Sequence, residues 1–123
     1  MRQRATAVIL QDNKVLLVRD KGRHHLSLPG GGFKKGESSK QAAAREIYEE
    51  LGLRTLSSER LRFCDLEGRR AKHRVVLLFT TGKPYLKSKE LNKFIWWDMK
   101  KRIPLQRHVS FILDKVKDRG WIT

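Results

Sequence analysis

The protein has 123 residues, and its 28 lysines and arginines outnumber 13 aspartates and glutamates, which gives a formal net charge of +15. Its longest apolar run, Val75–Phe79, is far too short to cross a membrane, and the apolar stretch near the N-terminus is weak for a signal peptide. The single cysteine, Cys64, cannot form an intrachain disulfide or a cysteine-cluster zinc site. These features favour one cytoplasmic domain over residues 1–123 with no membrane partner, and the charge predicts an anionic ligand.

A β-hairpin is predicted at the start of the chain. Ala5–Gln11 and Lys14–Arg19 are apolar and β-branched enough to form strands, and Asp12-Asn13 is a two-residue turn signal between them. A polar loop over Asp20–Ser27 follows. Leu28-Pro29-Gly30-Gly31-Gly32 is then a short extended segment that enters a glycine-rich turn.

A helix is predicted over Ser39–Leu51, because signals for both of its ends are present. Ser38 can cap the N-terminus, and Gln41 three residues later completes a capping box. Gly52 suits the left-handed position that follows the last turn.

Three further strands and a closing helix complete the prediction. The strands are expected near Leu61–Leu66, Arg74–Thr81 and Phe94–Asp98. Leu105–Lys117 is expected to be an amphipathic helix with four apolar side chains on one side: Val109, Ile112, Leu113 and Val116. This order of elements predicts an α+β fold in which helices and a sheet form a sandwich.

Most of the acidic side chains in the first half of the chain lie on the predicted first helix or just before it. Residues 1–61 contain 12 basic and 7 acidic side chains, and four of the acidic ones lie between Glu37 and Glu50. Glu46, Glu49 and Glu50 share one helix face, where like charges cost about 0.2–0.5 kcal/mol per pair. A divalent cation such as Mg²⁺ would compensate this repulsion and bridge the carboxylates to substrate phosphates. Three glutamates alone leave a solvated charged face open as the alternative.

The segment also matches a known pattern: Gly31, five residues, Glu37, seven residues, then Arg45-Glu46-Ile47-Tyr48-Glu49-Glu50-Leu51-Gly52-Leu53. These 23 residues resemble the signature of the Nudix hydrolases at every specified position, and the lead-in Leu28–Gly31 is also similar. Beyond the signature, the resemblance covers only the chain length, the strand order and the spacing of Glu90 and Trp96. It implies an α/β/α sandwich around a mixed β-sheet.

The resemblance also implies a reaction, the hydrolysis of a nucleoside diphosphate linked to another group, with Mg²⁺ or Mn²⁺ as cofactor. Glu46, Glu49 and Glu50 then correspond to the metal ligands, with Glu49 and Glu50 as the central pair. Arg45 corresponds to the arginine that orients a carboxylate, and Glu37 to the glutamate that steadies the loop. Water is expected to attack phosphorus directly, with a carboxylate taking its proton.

Glu90 is the candidate general base outside the helix, because some members of the family have a glutamate in the loop before the tryptophan-bearing strand. The alternative is a salt bridge between Glu90 and one of its neighbours, Lys87, Lys89 or Lys93. The two interpretations stay open on the sequence.

Candidate substrate-binding residues are Arg4, Arg23, Gly30, Gly31, Phe79 and Trp97. The two arginines could contact a phosphate or a base, and the glycines allow the backbone to approach a ligand. Phe79 could stack on a base, although an apolar strand residue also suits the core. Trp96 and Trp97 point to opposite faces of their strand, so Trp96 is expected to be structural and Trp97 is the candidate for stacking. The histidines show no metal-ligand spacing, and His24 and His25 are expected at the surface.

The densest positive stretch comprises Arg60, Arg62, Arg69, Arg70, Lys72 and Arg74. It is either a solvated hairpin loop or a surface that contacts phosphates or RNA, since guanidinium groups match phosphate oxygens. Only Phe63 interleaves these charges, so stacking on single-stranded bases is not favoured here.

The expected function is that of a short MutT-like nucleoside triphosphate pyrophosphohydrolase, whose partner is a small anionic nucleotide or polyphosphate. Longer polyanions are the first alternative: dinucleoside polyphosphates, diphosphoinositol polyphosphates or 5′-triphosphorylated RNA. A non-catalytic nucleotide- or RNA-binding module is the alternative of another class. The intact glutamate set argues against that module, and the oligomeric state is left open.

Overall fold

Residues 2–122, described by a computed structural model, form one mixed β-sheet with a helix against each face. The strands are β1 (Arg2–Gln11), β2 (Lys14–Asp20), β3 (Gly30–Gly32), β4 (Arg54–Arg60), β5 (Leu66–Glu67), β6 (Ala71–Thr81) and β7 (Leu91–Trp97). The helices are α1 (Ser39–Leu51) and α2 (Arg107–Asp118), and a single 3₁₀ turn spans Arg62–Cys64. Neither α1 nor α2 is both long enough and apolar enough to span a membrane.

The sheet has the strand order β4-β6-β1-β2-β7, with β3 also paired to β1 and β5 to β6. β1 and β6 run parallel, and the other pairs are antiparallel. Apolar side chains of α1 pack on one face around Ala7 and Val76, and those of α2 pack on the other around Val8 and Val75. This arrangement confirms the α+β sandwich with a mixed sheet.

The hairpin and the first helix form where the sequence predicts them. Asp12 and Asn13 both adopt positive φ angles, 51° and 60°, which suits a two-residue turn between twisted strands. α1 begins after Ser38, whose side chain forms the reciprocal capping box with Gln41. α1 ends at Gly52, which has φ 69° and where a Cβ would overlap the Tyr85 ring.

The predicted strand near Leu61–Leu66 is wrong, and the strand in this region lies earlier, as β4. Residues 62–64 form the 3₁₀ turn instead, so Cys64 is buried in a turn and not on a strand. β4 is an edge strand that pairs only with β6, so its polar residues can face solvent and leave no apolar alternation in the sequence. Asp65 fixes the turn because it accepts hydrogen bonds from Arg60 and from the Val75 N–H.

The later elements shift only at their ends. β6 starts at Ala71 rather than Arg74, and β7 starts at Leu91 rather than Phe94. α2 spans Arg107–Asp118 instead of Leu105–Lys117. The predicted apolar side of α2 is confirmed, because Val109, Ile112, Leu113 and Val116 are all buried.

Candidate active site

Arg45, in the middle of α1, is the centre of a network of carboxylates. Its Nε donates to Glu37 Oε2 at 2.7 Å, and its Nη2 donates to Glu37 Oε1 at 2.9 Å. Its Nη1 donates to Glu46 Oε1 and to Glu49 Oε1, each at 2.8 Å. Nη2 also donates to the Gly32 carbonyl at 2.9 Å. One planar guanidinium group therefore holds the glycine-rich loop and two helix carboxylates in a single arrangement.

The ion pair between Arg45 and Glu37 stabilises the charged forms of both groups. The hydrogen bond from Arg45, together with that from the Lys34 N–H at 2.7 Å, lowers the pKa of Glu37 to about 2. The same interaction raises the pKa of Arg45. Both residues are thus charged throughout the neutral pH range, and they serve as a fixed support for the site.

Glu46 and Glu50, one turn apart on α1, form a pair of adjacent carboxyl groups. Glu50 is buried, with 8% of its surface exposed. Burial, and next the charge of Glu46, raises the pKa of Glu50 well above its ordinary range. Gly31 brings the loop against this pair, because a Cβ at that position would overlap the Glu46 carboxylate. The site therefore brings two carboxyl groups together, and the charge of Arg4 only partly offsets the effect of this arrangement on Glu50.

Glu46 and Glu50 together are a better candidate site for a divalent cation than the set of three that also includes Glu49. Within residues 2–122, no three acidic, histidine or cysteine side chains converge as a complete group of metal ligands. The carboxylate of Glu49 is half exposed and turned toward Arg45. Mg²⁺ usually takes one or two carboxylates together with phosphate oxygens and waters, and Mn²⁺ also prefers oxygen ligands. The residues present fit such an ion through Glu46 and Glu50.

Arg4 approaches this pair from β1 and brings two further predicted residues with it. Its Nη2 donates to the Leu28 carbonyl at 3.1 Å and to the Gly30 carbonyl at 3.4 Å. Burial lowers the pKa of Arg4, and the nearby Glu50 charge acts in the opposite direction. Gly30 has φ 149°, and a Cβ there would overlap the Ala5 carbonyl oxygen. The close pairing of β3 with β1 therefore requires glycine at position 30. The structure thus brings Arg4, Gly30 and Gly31 together with the carboxylates.

Glu90 lies in the loop that covers the C-terminal end of α1. The N–H groups of Lys87 and Ser88 donate to the Glu50 carbonyl at 3.0 and 3.3 Å. The Glu90 carbonyl accepts a hydrogen bond from the Lys21 N–H at 2.7 Å, and the Glu90 side chain is exposed. In the part of the chain that the structure describes, the alternative salt bridge to a neighbouring lysine is not formed.

Asp20 is a residue near this site that the sequence analysis did not single out. It ends β2 and is half buried, and its charge acts on both Glu50 and Arg4. Its carbonyl accepts a hydrogen bond from the N–H of Arg23, whose side chain is exposed in the loop beyond. A carboxylate at the end of a strand, just before a polar loop, was the available signal for it.

Phe79 and Trp97 lie at the other end of the sheet. Arg74 of β6 pairs with Ala5 of β1, at the end of the sheet where the carboxylates lie. Phe79 is five residues further along β6, and this separation corresponds to about 16 Å at the usual rise of a strand. The Phe79 ring is exposed and lies 6.1 Å from that of Trp121. Trp97 pairs with Val15, packs on the α2 side, and donates from Nε1 to the Lys101 carbonyl at 2.7 Å. The structure does not bring these two candidates together with the carboxylates.

A pair of buried histidines lies behind the site, on the α2 face of the sheet. The rings of His73 and His108 are stacked with centroids 4.4 Å apart. His73 Nδ1 shares a 2.8 Å hydrogen bond with Thr6 Oγ1, and His108 Nε2 accepts from the Leu28 N–H at 3.3 Å. Burial lowers the pKa of His73 to about 4 and that of His108 to about 3, with Arg4 adding to both shifts. His24 and His25 are exposed as expected.

Comparison with known sequences agrees with this geometry. The profile of the NUDIX domain matches residues 1–111. An RNA pyrophosphohydrolase of Psychromonas ingrahamii is 29% identical over 117 residues, covering 94% of this chain and 55% of the relative. An RNA pyrophosphohydrolase of Baumannia cicadellinicola is 30% identical over 105 residues, covering 85% of this chain and 55% of the relative. The chain thus spans about half the length of these curated relatives.

Solved structures share the fold. A protein from Chromobacterium violaceum, assigned to the nudix hydrolase family, superposes with a TM-score of 0.81 at 28% identity, covering 98% of this chain and 79% of that one. A MutT NUDIX hydrolase from Burkholderia pseudomallei superposes with a TM-score of 0.78 at 23% identity, covering 94% of this chain and 97% of that one.

Proposed function

The chain belongs to the NUDIX domain family, and from this premise we propose that it is a metal-dependent pyrophosphohydrolase acting on a 5′-triphosphate carried by a nucleotide. The observation that carries the proposal is the carboxylate arrangement on α1. Arg45 fixes Glu37, Glu46 and Glu49, while the buried Glu50 stands beside Glu46 and forms no ion pair among residues 2–122. A binding module has no need of two adjacent carboxylates held against a glycine loop.

In this proposal, Glu46 and Glu50 would hold Mg²⁺ or Mn²⁺. The ion, when bound, would offset phosphate charge and lower the pKa of a bound water. Arg4, beside Glu50, would contact a substrate phosphate, and Gly30 and Gly31 would let the backbone approach it. Arg45 would keep the carboxylates in place as the substrate binds. Water would attack phosphorus, and its proton would pass to a carboxylate.

Glu90 is our candidate to accept that proton, and Glu49 is the alternative. Glu90 is exposed and forms no ion pair among residues 2–122, so its carboxylate is free to accept a proton. The backbone of its loop is fixed to α1 through the Glu50 carbonyl, which supports a defined position near the site. Glu49 is less available for this role, because its Oε1 already accepts a hydrogen bond from Arg45 Nη1.

Two substrate classes carry the required 5′-triphosphate, free nucleoside triphosphates and the 5′ ends of RNA. The first matches the MutT-like interpretation of the sequence. The second is favoured by a specific observation, since the two relatives above are both named RNA pyrophosphohydrolases. We also propose a cytoplasmic location, which suits a chain whose only cysteine is buried and unpaired.

A substrate panel tests the proposal. Purified protein is incubated with Mg²⁺ or Mn²⁺ and nucleoside triphosphates, dinucleoside polyphosphates, diphosphoinositol polyphosphates or 5′-triphosphorylated RNA, and the products are identified. Release of pyrophosphate, with a monophosphate left on the nucleotide, is the expected result. If the folded protein hydrolyses none of these compounds but binds nucleotides, the binding-module alternative replaces the proposal.

A further inference from the structure

The structure divides the positive run of residues 60–74 into two groups with different surroundings. Arg60 and Arg74 pair with Asp65, at 2.7 and 3.6 Å, and these contacts fix the turn before β5. Burial alone would raise the pKa of Asp65, but the hydrogen bonds from Arg60 and the Val75 N–H hold it below its ordinary value. Lys72 pairs with Glu67 at 3.6 Å. This part of the run is therefore structural.

Arg69 and Arg70 form the second group, and Arg62, which is also exposed, lies apart from both groups on the 3₁₀ turn. Arg69 and Arg70 occupy the turn between β5 and β6, both are exposed, and neither forms an ion pair among residues 2–122. Two adjacent guanidinium groups in solvent, without acidic partners, are available to bind phosphate oxygens. We call these two residues the arginine turn.

The register of the sheet places the arginine turn at the same end as the carboxylates. Ala71, the next residue, pairs with Arg2 on β1, and Arg4 pairs with both His73 and Gly32. The arginine turn lies two strands away from Gly31 across the sheet and about four residues away along the strand direction. These two separations together correspond to about 15–20 Å between the backbones. An anion at the turn would thus be outside the triphosphate itself but near enough to be part of the same linear substrate.

We propose that the arginine turn binds backbone phosphates of RNA downstream of a 5′-triphosphate held at the carboxylates. This inference rests on the proposed function and selects RNA as its substrate. The net charge supports it, because residues 62–123 carry 16 basic and 6 acidic side chains, more than one small nucleotide requires. A free nucleoside triphosphate has no phosphate that reaches the turn.

The test compares two double variants on two substrates. Arg69→Ala/Arg70→Ala is expected to raise the KM for a short 5′-triphosphorylated RNA by at least about tenfold, with kcat and the KM for GTP unchanged. For a single strand, the loss of two phosphate contacts should reduce the salt dependence of log KM by about 1.4. The matched control is Lys100→Ala/Lys101→Ala, which removes the same charge from exposed positions beyond β7, at the opposite end of the sheet, and should leave both substrates unaffected.

Two kinetic outcomes overturn the inference. Equal effects on RNA and GTP would mean that the arginines contact the triphosphate, and equal effects of the two double variants would mean a non-specific charge effect. Binding of the same RNA, followed by fluorescence anisotropy without turnover, separates this inference from the proposed function. If neither substrate is hydrolysed but only the arginine variant loses RNA affinity, the turn is an RNA contact in a non-catalytic protein. If the arginine variant binds as the native chain does, the inference is wrong.

Discussion

Two pairs of titratable side chains lie on opposite faces of the sheet, and burial shifts the pKa values of their buried members in opposite directions. Glu46 and Glu50 lie on the α1 side, where burial and a like charge raise the pKa of Glu50. His73 and His108 lie on the α2 side, where burial lowers both pKa values. Low polarity disfavours the charged form in each case, so the acid binds protons more tightly and the bases less tightly.

The two pairs differ in the hydrogen-bond and charge partners that the rest of the chain provides for them. The histidines find partners within the fold, Thr6 and the Leu28 N–H, and they are stable as a neutral stack. The Glu50 carboxyl group meets the Glu46 carboxyl group and receives only partial relief from the charge of Arg4. The histidine pair is therefore a structural element, whereas the carboxylate pair is the part of the site that we propose to bind the metal.

The largest expected effect comes from removing the charge of a carboxylate. Glu50→Gln and Glu46→Gln should each lower kcat by at least about a thousandfold, about 4 kcal/mol of transition-state stabilisation. Glu50→Gln should also leave the free energy of unfolding equal or higher, because a repulsive buried charge is lost. Turnover and urea denaturation measure the two effects. Glu59→Gln, an exposed change on β4, is the control. Near-native turnover of both carboxylate variants would refute their assignment as metal ligands.

The next effect is on the free energy of unfolding as a function of pH, to which the two pairs should contribute slopes of opposite sign. The histidines have pKa values of about 4 and 3 in the folded state, against 6.5 for free histidine. Below pH 6.5 the unfolded chain therefore binds more protons than the folded chain. The free energy of unfolding has its full histidine contribution above that pH, and each histidine lowers it by about 2 kcal/mol by pH 5. Glu50 has a raised pKa, so its contribution is complete below the unfolded value of 4.5 and is lost as pH rises.

Two variants separate these slopes. Glu50→Gln should steepen the loss of stability between pH 7 and pH 5, because only the histidine contribution remains. His108→Gln, which retains an acceptor for the Leu28 N–H, should flatten or reverse it. Denaturant unfolding at both pH values provides the measurement, and a native slope in His108→Gln would mean that the histidine is already charged in the fold.

The smallest expected effect is that of the metal on thermal stability. An ion that binds only the folded chain stabilises it by about 1.4 kcal/mol at ten times its Kd, which corresponds to about 3–5 °C in Tm. Mg²⁺ or Mn²⁺ should produce this shift in the native chain and in His108→Gln, and Glu50→Gln should abolish it. An undiminished shift in Glu50→Gln would place the ion elsewhere.

The sequence by itself determined those features that depend on neighbouring residues. The Asp12-Asn13 turn, the capping box of Ser38 and the left-handed Gly52 all formed as predicted, because backbone dihedrals and caps act within a few residues. The shared face of the glutamates follows from the helical period in the same way. The resemblance to the Nudix signature was confirmed by the match over residues 1–111.

Only the tertiary structure decided which of these residues act together. Long-range packing brought Arg4 close enough for its charge to act on Glu50, placed Phe79 and Trp97 at the far end of the sheet, and stacked His73 of β6 on His108 of α2. The polar edge strand β4 has no periodic signal, since only its pairing with β6 makes it a strand. Contacts between residues that are distant in the chain depend on packing and burial, which no local pattern encodes, and so the division of the arginines into paired and free groups appeared only in the fold.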